Sequence, residues 1–163
     1  MHKSCKGGEL VAKALGVESS SVYTHRVQVA DGDIDELGHA NNVAYVRWLQ
    51  DAAVAHSEAV GLGYAAYVTL GGVFVIRRQE IDYLRSALRG EALEVRTHVS
   101  SVMAAKCQRT TEIVRIGDGV VLARALTTWG FVDVIRGRPS RIPEAIYVAF
   151  GMTPRKKRAP EEA

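Results

Sequence analysis

The sequence predicts an α+β fold in which a curved antiparallel sheet of about five strands wraps one long helix. The first observation is a helical segment, 41–63, whose polar residues form only a narrow stripe, which is typical of a buried helix. The second is a series of strand-like segments after this helix, joined by short turns of the kind that connect antiparallel neighbours. A sheet that covers most of the helix with apolar side chains satisfies both observations.

The first strand and the helix have recognisable ends. Segment 21–30 is rich in β-branched residues and places apolar side chains on one face, which predicts a strand. Asn41 or Asn42 can cap the helix, because an Asn side chain accepts a hydrogen bond from the free N–H groups of the first turn. Gly61 and Gly63 can end the helix, since glycine readily adopts the conformation found at helix C-termini.

The remaining segments predict strands and one short helix. Segment 71–84 indicates a strand with a bulge near Arg78, and 93–99 alternates as a half-buried strand does. A third, more polar strand leads to Gly117–Gly119, which predicts a tight hairpin turn before the last and longest strand. Pro143 is suited to open a short helix, because its fixed φ matches the first helical position.

The length and charge of the chain indicate one domain with two extensions. Its 163 residues fit a single domain, since domains of roughly 100–150 residues are the commonest size. We expect an N-terminal arm at 1–20, the domain at 21–150 and a basic, flexible tail at 151–163. The net charge of +3 is concentrated in the tail at Arg155–Arg158. Such a short basic cluster favours a solvated end, so nucleic acid is not an expected partner.

The cysteines and the apolar runs indicate in which compartment we expect the protein and whether it associates with a membrane. Cys5 and Cys107 match no metal-ligand spacing and no disulfide framework, so we expect no metal site and a reducing, cytoplasmic compartment. No apolar run approaches the roughly 20 residues that span a bilayer. The first residues lack the apolar core of a signal peptide. We therefore expect no membrane partner.

A polar motif stands between the first strand and the helix. The stretch DIDELGHANN and the residues after it follow the pattern D-x-D-x-x-G-H-x-N-N-x-x-Y, formed by Asp33, Asp35, Gly38, His39, Asn41, Asn42 and Tyr45. With a buried helix behind it, this pattern resembles the hotdog-fold acyl-CoA thioesterases of the 4-hydroxybenzoyl-CoA thioesterase type. The later segments IDYLRSALRGEALEV and GRPSRIP extend the resemblance. It covers roughly Tyr23 to Pro143 and implies the hotdog fold.

The resemblance implies a set of catalytic residues. In these enzymes a backbone N–H at the helix start polarises the thioester carbonyl, and its position in the motif is that of Asn42. Their carboxylate corresponds to Asp35, which acts either as nucleophile or as the base that activates water. The alternative for Asp35 is an ordinary Asx-turn. His39 either assists the reaction or fixes the loop through the backbone, while Asp33 orients the loop or meets solvent.

The resemblance also implies contacts with the substrate. Tyr45, on the first turns of the helix, is a core residue that could line the acyl pocket. Coenzyme A carries phosphates, and arginine pairs with phosphate oxygens in two-point fashion. Strand alternation places Arg77 and Arg85 on one face and Arg78 on the other, so Arg77 and Arg85 are the predicted phosphate contacts. Solvated surface cations are the alternative.

The implied function is hydrolysis, in lipid metabolism, of an acyl-CoA or acyl-carrier-protein thioester to a free acid and a thiol. No metal or redox cofactor is expected, and coenzyme A enters only as part of the substrate. Hotdog chains are normally at least dimeric, and an open sheet edge must be paired or covered, so we expect a homodimer or homotetramer. The alternatives are a non-catalytic acyl-CoA-binding module and a hotdog dehydratase or hydratase, whose acid and histidine need a spacing that we do not find.

Overall fold

The computed structural model describes residues 20–154, and within them the predicted α+β architecture is confirmed. The five strands are β1 (Tyr23–Gln28), β2 (Gly72–Tyr83), β3 (Ala92–Met103), β4 (Lys106–Arg115) and β5 (Val121–Asp133). The three α-helices are α1 (Asn42–Ala59), α2 (Tyr64–Thr69) and α3 (Glu144–Ala149). Most of the expected N-terminal arm and most of the expected basic tail, including Arg155–Arg158, lie outside the described residues.

The strands form one antiparallel sheet in the order β1-β3-β4-β5-β2. The predicted hairpin at Gly117–Gly119 joins β4 to β5, and β5 is the longest strand, as expected. However, β2 and β3 are not neighbours although they follow one another in the chain. The connection at 84–91 crosses the end of the sheet, where Arg85 N–H bonds to Leu122 of β5 and Glu91 lies beside Arg115 of β4. Among the described residues, strand β2 therefore forms an open edge of the sheet.

A β-bulge interrupts β2, close to the predicted position. Ile76 pairs with Trp129 and Arg78 with Thr128, so Arg77 is the extra residue on the bulged strand. Gly130 lies beneath the Arg77 side chain, and a Cβ added at Gly130 would stand 3.2 Å from Cγ of Arg77. A bulge interrupts the alternation of side chains, so residues on either side of Arg77 no longer follow one strict pattern.

Helix α1 packs on the concave face of the sheet. Its buried residues include Tyr45, Trp48, Leu49 and Ala52, and they contact Leu93, Val95, Ile113 and Leu122 of the sheet. A second cluster of buried residues surrounds Phe131, Ile142 and Phe150 near α2 and α3. The opposite side of α1 keeps Val43 70% and Val54 46% exposed. Within one chain the sheet thus covers only one side of an apolar helix.

The ends of the helices follow from their caps. Asn41, and not Asn42, is the N-cap of α1, because its Oδ1 accepts from the N–H of Ala44 at 2.9 Å. The helix ends at Ala59, shortly before Gly61, whose φ of +82° suits a helix terminus. Pro143 precedes α3, as predicted. No helix within residues 20–154 is both long enough and apolar enough to cross a membrane.

Candidate active site

The loop between β1 and α1 is tied to the helix through Asp33. The Asp33 side chain is buried, and its Oδ2 accepts from the N–H of Ala30 at 3.0 Å while its Oδ1 accepts from Nη2 of Arg47 at 2.5 Å. The Asp33 carbonyl accepts from both the backbone N–H and the side-chain amide of Asn41, at 2.8 and 2.9 Å. These bonds join the loop to the first turns of α1, so Asp33 orients the loop and does not meet solvent.

Asp35 and His39 flank a tight turn at the tip of this loop. The N–H of Asp35 donates to the carbonyl of His39 at 2.9 Å, and Gly38 closes the turn with a φ of +78°. The N–H of Leu37 donates to Oδ1 of Asp35 at 2.9 Å, which is an Asx-turn. Oδ2 of Asp35 accepts no hydrogen bond from any residue in 20–154. One carboxylate oxygen therefore shapes the turn while the other is available.

The start of α1 presents backbone N–H groups beside this turn. Since Asn41 is the cap, Asn42 is the first helical residue. Its N–H lies in the first turn, where no carbonyl of the helix precedes it to accept a hydrogen bond. The helix dipole adds partial positive charge at the same place. This end of α1 is suited to stabilise negative charge on an oxygen atom.

A pocket of about 290 Å³ gathers most of the predicted site residues. Its walls are formed by Asp35, His39, Ala40, Asn42, Tyr45, Tyr83, Leu84, Arg85 and Ser86. The loop, the helix start and the end of β2 each contribute to these walls. The structure thus brings together five of the six residues predicted from the sequence, and only Arg77 is absent from the pocket.

Tyr45 lines this pocket as a fixed wall. Its hydroxyl accepts from the N–H of Ala87 at 3.0 Å, and its ring packs against Trp48 and Tyr83 with centroid distances of 5.1 Å. Burial raises the pKa of Tyr45 above its usual value, so the phenol keeps its proton at neutral pH. Tyr45 therefore combines the two roles that the sequence left open, a core residue and a pocket wall.

The two predicted phosphate contacts lie in different environments. Arg85 lines the pocket and donates from Nη1 to the carbonyl of Leu84 at 2.7 Å. Arg77 occupies the β2 bulge and packs across Gly130, away from the pocket walls. Alternation along a regular strand had placed both side chains on one face. The bulge removes that relation, because the extra residue interrupts the alternation between Ile76 and Arg78.

A second, mainly apolar cavity of about 300 Å³ lies beside the C-terminal half of α1. Its wall includes Val54, Tyr67, Phe74, Cys107, Arg109, Trp129, Ile146 and Phe150. Burial raises the pKa of the Cys107 thiol to about 11, so this cysteine is protonated at neutral pH and is a poor nucleophile. Within residues 20–154 no cluster of three or more histidine, cysteine or acidic side chains is arranged to hold a metal ion.

Arg109 is a buried residue that the sequence predictions do not include, although the pattern of its strand contains the signal. Cys107, Arg109, Thr111 and Ile113 occupy alternate positions of β4, and all four are buried. Period-two alternation places these residues on one face of the strand. An arginine in register with Cys107 and Ile113 therefore predicts a cation on the inner face of the sheet. The greater polarity of this strand conceals the alternation.

Comparison with known proteins finds a curated relative and solved structures of similar fold. The zebrafish (Danio rerio) protein THEM6 is 34% identical over 112 residues, which are 69% of this chain and 54% of that protein. This chain thus spans about half the length of that relative. The Synechocystis protein Slr0204, a 1,4-dihydroxy-2-naphthoyl-CoA thioesterase, has a TM-score of 0.74 at 19% identity, covering 80% of this chain and 96% of that one.

A second solved structure gives the same fold. The Thermus thermophilus protein TT1821 has a TM-score of 0.71 at 27% identity and covers 78% of this chain and 96% of that one. The five-stranded sheet with its central helix is the hotdog fold, as the resemblance in the sequence implied. The sequence model of the thioesterase-like superfamily matches residues 29–150, which include the motif loop, the helix and all strands from β2 onward. The chain therefore belongs to the thioesterase-like superfamily.

Proposed function

We propose that this protein is an acyl-CoA thioesterase that hydrolyses an acyl thioester to a free acid and a thiol. One observation carries the proposal: an exposed carboxylate with a free oxygen, a histidine and the open start of a helix line the same pocket. These are Asp35, His39 and Asn42, in a chain of the thioesterase-like superfamily. The name of Slr0204, a CoA thioesterase of the same fold, supports coenzyme A as the carrier of the acyl group.

In the proposed reaction the thioester carbonyl oxygen accepts a hydrogen bond from the N–H of Asn42. The oxygen gains negative charge when its carbon is attacked, and the first turn of α1 stabilises this charge. Oδ2 of Asp35 either attacks the carbon itself or takes a proton from the attacking water. If Asp35 attacks, the C–S bond breaks to leave an acyl anhydride on Asp35, which a water molecule then hydrolyses to the free acid. If Asp35 acts as base, the hydroxide adds to the carbon and the C–S bond then breaks. In both cases a proton released by the water passes to the leaving thiolate. His39 assists by holding Asp35 or water, or by contacting the thioester.

The proposal also covers the contact with coenzyme A, the cofactors, the oligomeric state and the compartment. Arg85, at the pocket wall, is the cation best situated for a coenzyme A phosphate, since a guanidinium pairs with phosphate oxygens. The proposed reaction uses no metal and no redox cofactor. We further propose that the enzyme acts as a homodimer or homotetramer, in the cytoplasm, in lipid metabolism.

The role of Asp35 is tested by thiol release from a panel of short, long, branched and aromatic acyl-CoAs. We expect Asp35→Ala to lower kcat/KM at least 100-fold on every substrate of the wild type, since a positioned base contributes about 10²–10⁴-fold. Glu36→Gln is the matched control, because Glu36 is an exposed acid of the same loop that does not line the pocket, and it should keep full activity. Full hydrolysis by Asp35→Ala with every active substrate would remove Asp35 from the mechanism.

The same panel separates an enzyme from a non-catalytic acyl-CoA-binding module. Saturable binding of acyl-CoA without thiol release from any member of the panel would favour the binding module. Thiol release that depends on Asp35 would favour the hydrolase, because a module that only binds has no need of a base beside the carbonyl.

A further inference from the structure

Arg109 is a buried cation on the inner face of the sheet. Its side chain is only 5% exposed, and it lines the apolar cavity beside α1. Nη1 bonds to Nδ1 of His56 at 2.9 Å and to Oγ1 of Thr97 at 3.2 Å. A guanidinium has five N–H donors. Neither Nε nor Nη2 of Arg109 donates a hydrogen bond to any of residues 20–154. The described part of the chain thus leaves donors of Arg109 unused at the wall of a cavity.

The groups around Arg109 hold its guanidinium in place without neutralising its positive charge. The ring of Phe150 lies 5.9 Å from Cζ of Arg109, and the same ring packs edge-on against His56. Burial, together with the nearby charge of Arg109, lowers the pKa of His56 to about 4, so His56 is neutral and accepts through Nδ1. Among the described residues no aspartate or glutamate forms an ion pair with Arg109.

A buried cation that no acid within residues 20–154 pairs with calls for a counter-ion. Burial of a cation away from water costs free energy unless an anion or hydrogen bonds compensate it. The cavity of about 300 Å³ is at the lower end of the size range of small-molecule sites, which is roughly 300–1,000 Å³. Most of its wall consists of aliphatic and aromatic side chains such as Val102, Trp129 and Ile146. The space is therefore suited to an apolar ligand that carries one negative charge.

We propose that this cavity binds a carboxylate-bearing apolar molecule, whose carboxylate pairs with Nε and Nη2 of Arg109 and whose apolar body fills the rest of the space. A carboxylate matches the planar fork of a guanidinium in two-point fashion and cancels its single charge. A phosphate group is a poorer match, because a second negative charge would remain uncompensated in an apolar cavity.

Two kinds of molecule carry a carboxylate on an apolar body of this kind. One is a free aliphatic acid, which binds whether or not the protein is a hydrolase. The other is the distal carboxylate of a dicarboxylic acyl thioester, and this second source rests on the proposed thioesterase function. In both cases the carboxylate lies against Arg109, so the two sources share the same binding chemistry and differ only in whether a thioester is attached.

The first experiment measures the affinity for decanoate and for 1-decanol, a neutral probe of equal chain length, by isothermal titration calorimetry at pH 7.5. We expect the wild type to prefer decanoate at least tenfold, and Arg109→Met to bind the two probes equally. Arg109→Lys, which keeps the charge, should retain part of the preference. Arg124→Met is the matched control, because Arg124 is an exposed arginine on neighbouring β5, paired with Glu112, and does not line the cavity.

The hydrolysis arm compares ω-carboxynonanoyl-CoA with decanoyl-CoA, which have acyl chains of equal length. A tenfold higher kcat/KM for the carboxylated substrate in the wild type, lost in Arg109→Met, would assign the site to the acyl group. Selective binding of decanoate without selective hydrolysis would assign it to a free acid. If the wild type releases no thiol from either substrate or from any acyl-CoA of the panel above, but still binds decanoate selectively, the thioesterase function is overturned and this site stands.

The inference is overturned if the wild type shows no preference for the carboxylated member of either pair. It is equally overturned if a folded Arg109→Met retains the wild-type preference. The comparisons within the wild type need no variant, so they decide the question even if Arg109→Met fails to fold. Circular dichroism of each variant identifies that case.

Discussion

At the scale of single residues, the pairing of His56 with Arg109 affects how the protein responds to acid. Burial, the charge of Arg109 and the nearby His98 all lower the pKa of His56, to about 4, in the folded protein. In the unfolded chain the pKa of histidine is about 6.5. Above that pH His56 is neutral in both states and contributes no pH dependence. Between pH 6.5 and 4 the unfolded chain binds a proton that the folded protein does not, so stability falls.

We therefore expect the free energy of unfolding to fall by about 2 kcal/mol from pH 7 to pH 5 through His56 alone. The His56→Gln variant removes this titration while it keeps an acceptor for Arg109. Urea denaturation of both proteins at the two pH values measures the difference, and carboxylates that titrate in both proteins cancel. A variant that loses as much stability as the wild type over this range would show that His56 does not carry the effect.

The two acids of the motif show what sequence reasoning can resolve about single residues. Asp33 and Asp35 are equivalent by propensity, and only the resemblance to known enzymes distinguished them. In the structure Asp33 is buried against Arg47, which lies 14 positions along the chain, whereas Asp35 is exposed. Local propensity cannot anticipate such burial, because it depends on the angle at which α1 returns over the loop. Arg109 is a different case, because the alternation of β4 is a local signal that already places it on the inner face of the sheet.

At the scale of secondary structure, periodicity predicted the strands, the hairpin and the bulge well. Each of these is a local feature with a local signal, such as the glycines of the β4–β5 turn or the alternation in β3. The pairing of β2 with β5 is not local, since Gly72 pairs with Asp133 and Tyr83 with Ala123. No element was predicted for segment 64–70, which contains α2, a separate helix that lines the cavity of Arg109 through Tyr64 and Tyr67.

The start of α1 gives a prediction at this scale. Asn41 caps the helix with its Oδ1 and donates from its Nδ2 to the carbonyl of Asp33. We expect Asn41→Ala to lower the free energy of unfolding by about 1 kcal/mol, within the range of roughly 0.5–2 kcal/mol for lost caps. Asn41→Asp keeps the capping oxygen and loses only the donor, so it should recover most of this loss in chemical denaturation. Equal destabilisation by both variants would contradict the capping role.

At the scale of the whole molecule, two features are left uncovered by residues 20–154 of one chain. Strand β2 is an open edge, on which Val75 is 39% and Ile76 is 42% exposed. Helix α1 presents exposed valines on the side that faces away from the sheet. An open edge with apolar side chains is a template for pairing with another chain. A second copy, joined through β2, would continue the sheet and cover both features.

Antiparallel pairing of two β2 strands would also bring the two pockets of the protein together. The start of β2, with Val73 and Phe74, lines the Arg109 cavity, and the end of β2, with Tyr83, lines the Asp35 pocket. In a two-fold dimer the start of one strand lies opposite the end of its partner. Each Asp35 pocket would then adjoin the apolar cavity of the other copy, so an acyl group could extend from one into the other.

We expect light scattering to give a mass of at least twice the 17.7 kDa of the chain. Ile76→Lys should reduce it to that of one chain, because a charge on the edge opposes strand pairing. Ile116→Lys is the matched control, since Ile116 is 44% exposed at the β4–β5 turn, away from the edge. If acyl groups span two copies, Ile76→Lys should also lower kcat/KM for long acyl-CoAs more than for short ones. A monomeric wild type, or an Ile76→Lys protein that remains dimeric, would contradict assembly through β2.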